Sequence, residues 1–116
     1  MWSKLEEVFE ELQLPYSRQG SYPDDATLPT SFFTFWNADT PEDGFYDNKA
    51  NCAVWFWVIY FYTKDASLLY SKLEDFIRMA KEKGFIVQGR GKDLASGEPD
   101  YFGRYVQIKY VEKYNS

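Results

Sequence analysis

Cys52-Ala53-Val54-Trp55-Phe56-Trp57-Val58-Ile59-Tyr60-Phe61-Tyr62 runs for eleven residues without a charge, a glycine or a proline. Its β-branched and aromatic content reads as a strand. Successive side chains of a strand point to opposite faces. One face therefore receives Ala53, Trp55, Trp57, Ile59 and Phe61, and the other Val54, Phe56, Val58, Tyr60 and Tyr62. Both are apolar, whereas a half-exposed strand alternates with polar residues. Helices can cover one such face. The other is left for irregular segments of the chain or for another subunit, and large exposed aromatic patches mark interfaces.

The flanks supply the helices. Downstream, Asp65 is placed to cap a helix over 66–83, with Leu69, Leu73, Phe76, Ile77 and Ala80 as its apolar stripe. Gly84 stands where a left-handed C-terminal cap belongs. Residues 85–88 begin another strand, 89–103 carry four glycines and Pro99 and read as a flexible loop or arm, and 104–112 close as a strand. Upstream, 32–36 reads as a strand and 37–51 as polar connection. The segment 14–31, with Pro15, Pro23 and Pro29, reads as an irregular linker. Trp2, Leu5, Val8, Phe9 and Leu12 recur at helical spacing opposite Glu6, Glu7, Glu10 and Glu11, so 2–13 is a helix that Ser3 could cap and Pro15 would stop. The expected fold is α+β in the order helix-strand-strand-helix-strand-strand. It is a single domain over 1–116, with a core at 32–88 and two helices on one face of a four-stranded, mostly antiparallel or mixed sheet.

Composition narrows the function. At 116 residues there is material for one core, and a 21% aromatic share gives it enough area to fold without disulfides. Cys52 is the single cysteine, which suits a reducing compartment. The amphipathic acidic start is unlike a signal peptide, and no apolar run approaches the roughly twenty residues of a membrane span, so a cytosolic chain, or one assembled in the cytosol, is expected. A net charge of −5 opposes general binding to phosphate backbones. The charge is also split. Residues 1–51 hold ten acids against three bases, and residues 52–116 hold eight acids against ten bases.

Catalytic and metal patterns fail one by one. The absence of histidine removes histidine triads and most zinc sites, and leaves Cys52 without an imidazole to ionise it. The acidic stretch Asp39, Glu42, Asp43 and Asp47 departs from a calcium loop, because Pro41 takes a ligand position and Ala50 replaces the closing glutamate. Gly89-Arg90-Gly91-Lys92 lacks the spacing of a phosphate-binding loop. Aromatics near Arg90, Lys92 and Arg104 could stack bases, but the acidic total opposes it. No enzyme reading remains and no cofactor or metal is expected. The candidate interface residues are Trp55, Phe56, Trp57, Val58, Tyr60 and Tyr62, joined by Arg90 and Lys92 in the glycine-rich segment.

The run 28–37 (Leu-Pro-Thr-Ser-Phe-Phe-Thr-Phe-Trp-Asn) is followed by Phe45-Tyr46-Asp47-Asn48-Lys49, then the aromatic strand, then Phe61-Tyr62-Thr63-Lys64-Asp65 and a helix ending in Gly84-Phe85. This order resembles the small neck and tail-completion proteins of long-tailed bacteriophages and prophages, over roughly residues 28–87. The resemblance implies a tail terminator or head–tail joining protein of the virion neck, assembled in the bacterial cytoplasm. It implies a homo-oligomeric ring, hexameric among the admissible sizes, with tail-tube and head-connector proteins as partners. It implies neither enzymatic activity nor a cofactor, and neither nucleic-acid sequence recognition nor a membrane. Tyr46, Asp47, Asn48 and Lys49 would be strand-entry residues in that family. The alternative is a small ferredoxin-like ligand-binding or regulatory module that uses the aromatic face of the sheet.

Overall fold

The aromatic run forms β4, Cys52–Thr63, the strand around which the sheet is built. The computed structural model describes residues 2–18, 29–43, 51–95 and 100–114. In chain order the elements are α1 Trp2–Leu12, β1 Tyr16–Arg18, β2 Ser31–Asp39, β3 Glu42–Asp43, β4, α2 Ala66–Glu82, β5 Ile86–Val87, β6 Lys92–Leu94 and β7 Phe102–Lys113. The architecture is α+β with two helices and a mixed sheet.

The expected strand count of four is corrected to seven, in the order β1-β2-β4-β7-β5, with β3 beside β4 and β6 beside β7. The correction has a simple geometry. β3 continues the row of β2 along β4, and β6 continues the row of β5 along β7. Two of the expected rows thus gain a second segment, β3 within 37–51, expected as polar connection, and β6 within 89–103, expected as a loop or arm, and β1 adds a fifth row. β1 lies parallel to β2, while every other pairing is antiparallel. The three extra segments are two or three residues long, too short to carry an alternation that periodicity could detect. The segment 14–31 therefore contains β1, and 89–103 contains β6; residues 19–28, 44–50 and 96–99 lie outside the described residues.

The register decides which face of β4 is the inner one. Phe61 pairs with Phe33, Ile59 with Phe35, and Trp57 with Ile108. These residues are buried with Leu5, Val8 and Phe9 of α1 and with Leu73, Phe76 and Ala80 of α2 in one apolar cluster. The Phe9 ring joins the layers, with centroids 4.8 Å from Tyr16, 5.4 Å from Phe33 and 5.4 Å from Phe76. Both helices therefore cover the odd-numbered side of β4. Burying aromatic side chains of this size is the main favourable term in so small a core.

Asp65 caps α2 as expected, accepting from the Ser67 backbone N–H at 2.9 Å and the Ser67 hydroxyl at 2.6 Å. At the far end the Phe85 N–H donates to Ala80 O at 2.9 Å and the Gly84 N–H to Lys81 O at 3.1 Å, with Gly84 at φ +100. That bond pair is a Schellman stop, and it turns Phe85 back into the core. Ser3, by contrast, lies one residue inside α1 and so does not cap it.

The glycine-rich turn before β6 is fixed by Arg104. Its guanidinium donates to Asp93 Oδ1 at 2.6 Å and to the carbonyls of Arg90 and Gly91 at 3.1 Å each, and it lies 4.8 Å from the centre of the Tyr70 ring. The Tyr70 hydroxyl donates to Asp93 Oδ2 at 3.0 Å, so β6 is tied to both β7 and α2. Gly91 has φ +90, and a Cβ there would sit 2.4 Å from the Tyr105 carbonyl oxygen; Gly89 has φ +79 and open space around it. Both Gly→Ala changes meet left-handed strain of about 1–2 kcal/mol. Only Gly91→Ala also forces backbone apart, so it should be the more destabilising by at least ~1 kcal/mol in urea unfolding. The hydrogen bonds from Arg104 and then Tyr70 hold the Asp93 carboxyl below its ordinary 3.8. A depressed carboxylate stabilises the fold above its unfolded value and loses that contribution as pH falls through the folded one. The Tm difference between wild type and Asp93→Asn should therefore be constant near neutrality and shrink progressively below pH 3.8.

Candidate functional site

The even-numbered side of β4 faces away from both helices. Pairing places Phe32, Thr34 and Trp36 of β2 beside Tyr62, Tyr60 and Val58, and Tyr105, Gln107 and Lys109 of β7 beside Tyr60, Val58 and Phe56. β5 and β6 extend this outer face with Ile86 opposite Lys109 and Lys92 opposite Tyr105. No described helix packs against it.

The outer face has two halves with different character. Towards the end of β4, aromatic rings consume one another. Tyr60 stacks on Tyr62 with ring centroids 6.3 Å apart and meets Tyr105 at 5.9 Å, while Phe32 meets Tyr62 at 5.3 Å and Tyr101 at 5.7 Å. The Tyr101 hydroxyl donates to the Pro29 carbonyl at 2.6 Å, and Lys64 lies 5.3 Å from the Tyr101 ring centre. Burial, followed by the neighbouring Tyr60, pushes the Tyr62 phenol above its ordinary value, which marks this half as partly dry.

Towards the start of β4 the apolar side chains remain open. Trp36 is 44% exposed, Phe56 37%, Ile86 45% and Val111 37%, four of the seven large exposed apolar residues among those described. Beside Trp36, β2 changes register between Asn37 and Asp39. Asn37 Nδ2 donates to the Asp39 carbonyl at 3.1 Å and the Phe56 carbonyl at 3.0 Å, and accepts at Oδ1 from the Thr40 hydroxyl at 2.8 Å. This polar stitch holds the bulge beside Trp36, and bulges bend a strand and re-aim its side chains.

Three shallow depressions meet around Gln107. One of about 240 Å³ lies among Asp39, Phe56, Val58 and Gln107, one of about 150 Å³ lies beside Ile86 and Lys109, and one of about 230 Å³ lies over Gly89–Lys92 and Tyr105. Each is smaller than the roughly 300–1,000 Å³ of ordinary small-molecule pockets.

The candidate residues read from the sequence divide between the two sides. Phe56, Val58, Tyr60, Tyr62 and Lys92 lie together on the outer face. Trp55 and Trp57 lie on the helix side, where Trp57 is 2% exposed and Trp55 Nε1 donates to Glu112 at 3.2 Å. Trp57 is core, while Trp55 packs at the margin of that cluster and stays partly exposed, on the side opposite Phe56. Arg90 is in the turn before β6 and pairs with Glu74 of α2. Sequence reasoning missed Trp36, Ile86, Lys109 and Val111 as members of the face. Only strand pairing collects them.

Among the described residues no cluster of three or more His, Cys, Asp or Glu could hold a metal, and no helix is long and apolar enough to cross a membrane. Cys52 lies at the start of β4, partly buried. Asp39, Glu42 and Asp43 are strand residues, and Asp47 lies outside the described residues. No protein-family model and no curated protein matches the chain.

The two sides of β4 predict opposite responses to a buried charge. Trp57→Asp should leave the chain unfolded by circular dichroism, because an unpaired charge in the core costs several kcal/mol, comparable to a small domain's stability. Phe56→Asp should keep the native spectrum with a loss of about 1 kcal/mol or less, as for most partly exposed sites.

Proposed function

We propose that this chain is a structural protein of a bacteriophage or prophage neck, a tail terminator or head–tail joining component that works as a ring through protein contacts. The observation that carries the reading is the apolar patch of Trp36, Phe56, Ile86 and Val111 on a sheet face that no described helix covers. It agrees with the family resemblance over 28–87, whose proteins work by contact rather than by chemistry. β4 and β7 have twelve residues each and β2 nine. At about 3.3 Å per residue and about 4.8 Å between rows, these three long rows give a face of roughly 40 by 15 Å, of the same order as the ~800 Å² that one partner contributes to a standard interface. A ligand-binding module is the weaker reading, because the depressions on the face are too small and open to enclose a drug-sized molecule.

Native mass spectrometry and negative-stain microscopy of the purified chain test the proposal. The expected result is one discrete oligomer of more than two subunits, annular in projection, that caps isolated tail tubes. A strict monomer, or a protein retained on single-stranded DNA in a salt-dependent manner, would overturn it.

A further inference from the structure

Charge on the outer face differs in sign from charge on the helix layer. Among the described strand residues at outer-face positions of the register, the three bases Lys92, Lys109 and Lys113 stand against the two acids Asp39 and Asp43, a small positive excess. Yet the chain as a whole carries −5. On the far side of the molecule, α1 turns Leu5, Val8 and Phe9 inward, and Glu7, Glu10 and Glu11 are exposed with Glu6 partly so. Lys4 lies 4.0 Å from Glu7 and Lys83 lies 2.8 Å from Glu11, which leaves the helix surface net negative. The two surfaces are separated by the core and cannot meet within one chain.

We infer that the basic apolar outer face of one copy docks on the acidic α1 surface of the next, in a head-to-tail contact. This inference rests on the ring reading and assigns its two surfaces. A two-fold contact of the outer face with itself would set Lys92, Lys109 and Lys113 against their own copies, whereas the heterologous contact sets them against Glu6, Glu7, Glu10 and Glu11. The same contact repeats around a ring and leaves each copy with both surfaces used. The apolar patch supplies affinity, and the charges set orientation and association rate.

The test uses the full chain and two charge-reversed variants. One carries Lys92→Glu, Lys109→Glu and Lys113→Glu, and the other carries Glu6→Lys, Glu7→Lys and Glu11→Lys. Each alone should weaken assembly at least tenfold in sedimentation velocity while keeping its native circular dichroism. An equimolar mixture of the two should assemble again, since each acidic outer face then meets a basic α1. Rescue on mixing supports the pairing of surfaces. Wild-type-like assembly of both single-face variants, or a Lys→Glu variant that co-assembles with wild type better than with its counterpart, overturns that pairing and leaves the ring standing. A wild-type chain that stays monomeric overturns both. Should either variant fail to fold, wild-type kinetics decide. Association should slow at least tenfold as salt rises from about 0.01 M to about 1 M, where the Debye length falls from roughly 30 to roughly 3 Å. A rate indifferent to salt overturns the inference.

Discussion

β4 is hydrogen-bonded along both edges, to β7 over its whole length and to β2 and β3 over most of it, so its side chains have only the two faces of the sheet to occupy. Ten of the eleven residues in 52–62 are apolar or aromatic, and Cys52 behaves as a small hydrophobe, so neither face can be left to water without cost. The helices cover most of one side, burying Trp57, Ile59 and Phe61. The other is satisfied in part, by rings that stack on one another where β4 ends and by nothing described where it begins. This imbalance is the constraint from which the other features follow.

The helix side shows how a small domain stabilises such a strand. α1 and α2 each present a narrow apolar stripe, and aromatic contacts of Phe9 and Phe76 close the space between them and β2. The stops are sharp because their hydrogen bonds are local, as in the Asp65 cap and the turn at Gly84. Arg104 performs a comparable service across elements. Its side chain is only 16% exposed, and its two terminal nitrogens donate to Asp93 and to two carbonyls of the glycine turn, so the cation on the helix side is paired at an exposed carboxylate. That guanidinium, the Tyr70 hydroxyl and the backbone pairing with β7 together hold β6, the segment on which Lys92 reaches the outer face.

The open side shows what the remaining demand can produce. A patch of exposed aromatic and branched side chains with lysines at its margin, over shallow depressions of about 150 to 240 Å³, suits a flat protein partner better than a small ligand. Polar stitching at Asn37 holds the bulge that follows Trp36, and the regular register before it sets Trp36 beside Val58 at the β2 side of that patch. The face is thus a consequence of strand order and register as much as of composition.

Composition and periodicity alone determined the two helices, the four main strands and the aromatic centre of the sheet, because alternation, capping and glycine stops act within a few residues. The lack of histidine and the single cysteine likewise limited the available chemistry before any fold was known. Periodicity could place Trp55 and Trp57 on one side of β4 and Phe56 and Val58 on the other, but it could not say which side the helices would take. That choice depends on where Phe33, Phe35, Val106 and Ile108 fall in register, which is a matter of pairing between segments far apart in the chain. The short strands β1, β3 and β6 were invisible for the same reason, since two or three residues adopt extended backbone only because a longer neighbour offers them hydrogen bonds. Trp36, Ile86, Lys109 and Val111 each looked ordinary in sequence. Tertiary pairing alone made them one surface, because strands about 4.8 Å apart bring together residues that the chain keeps many turns away.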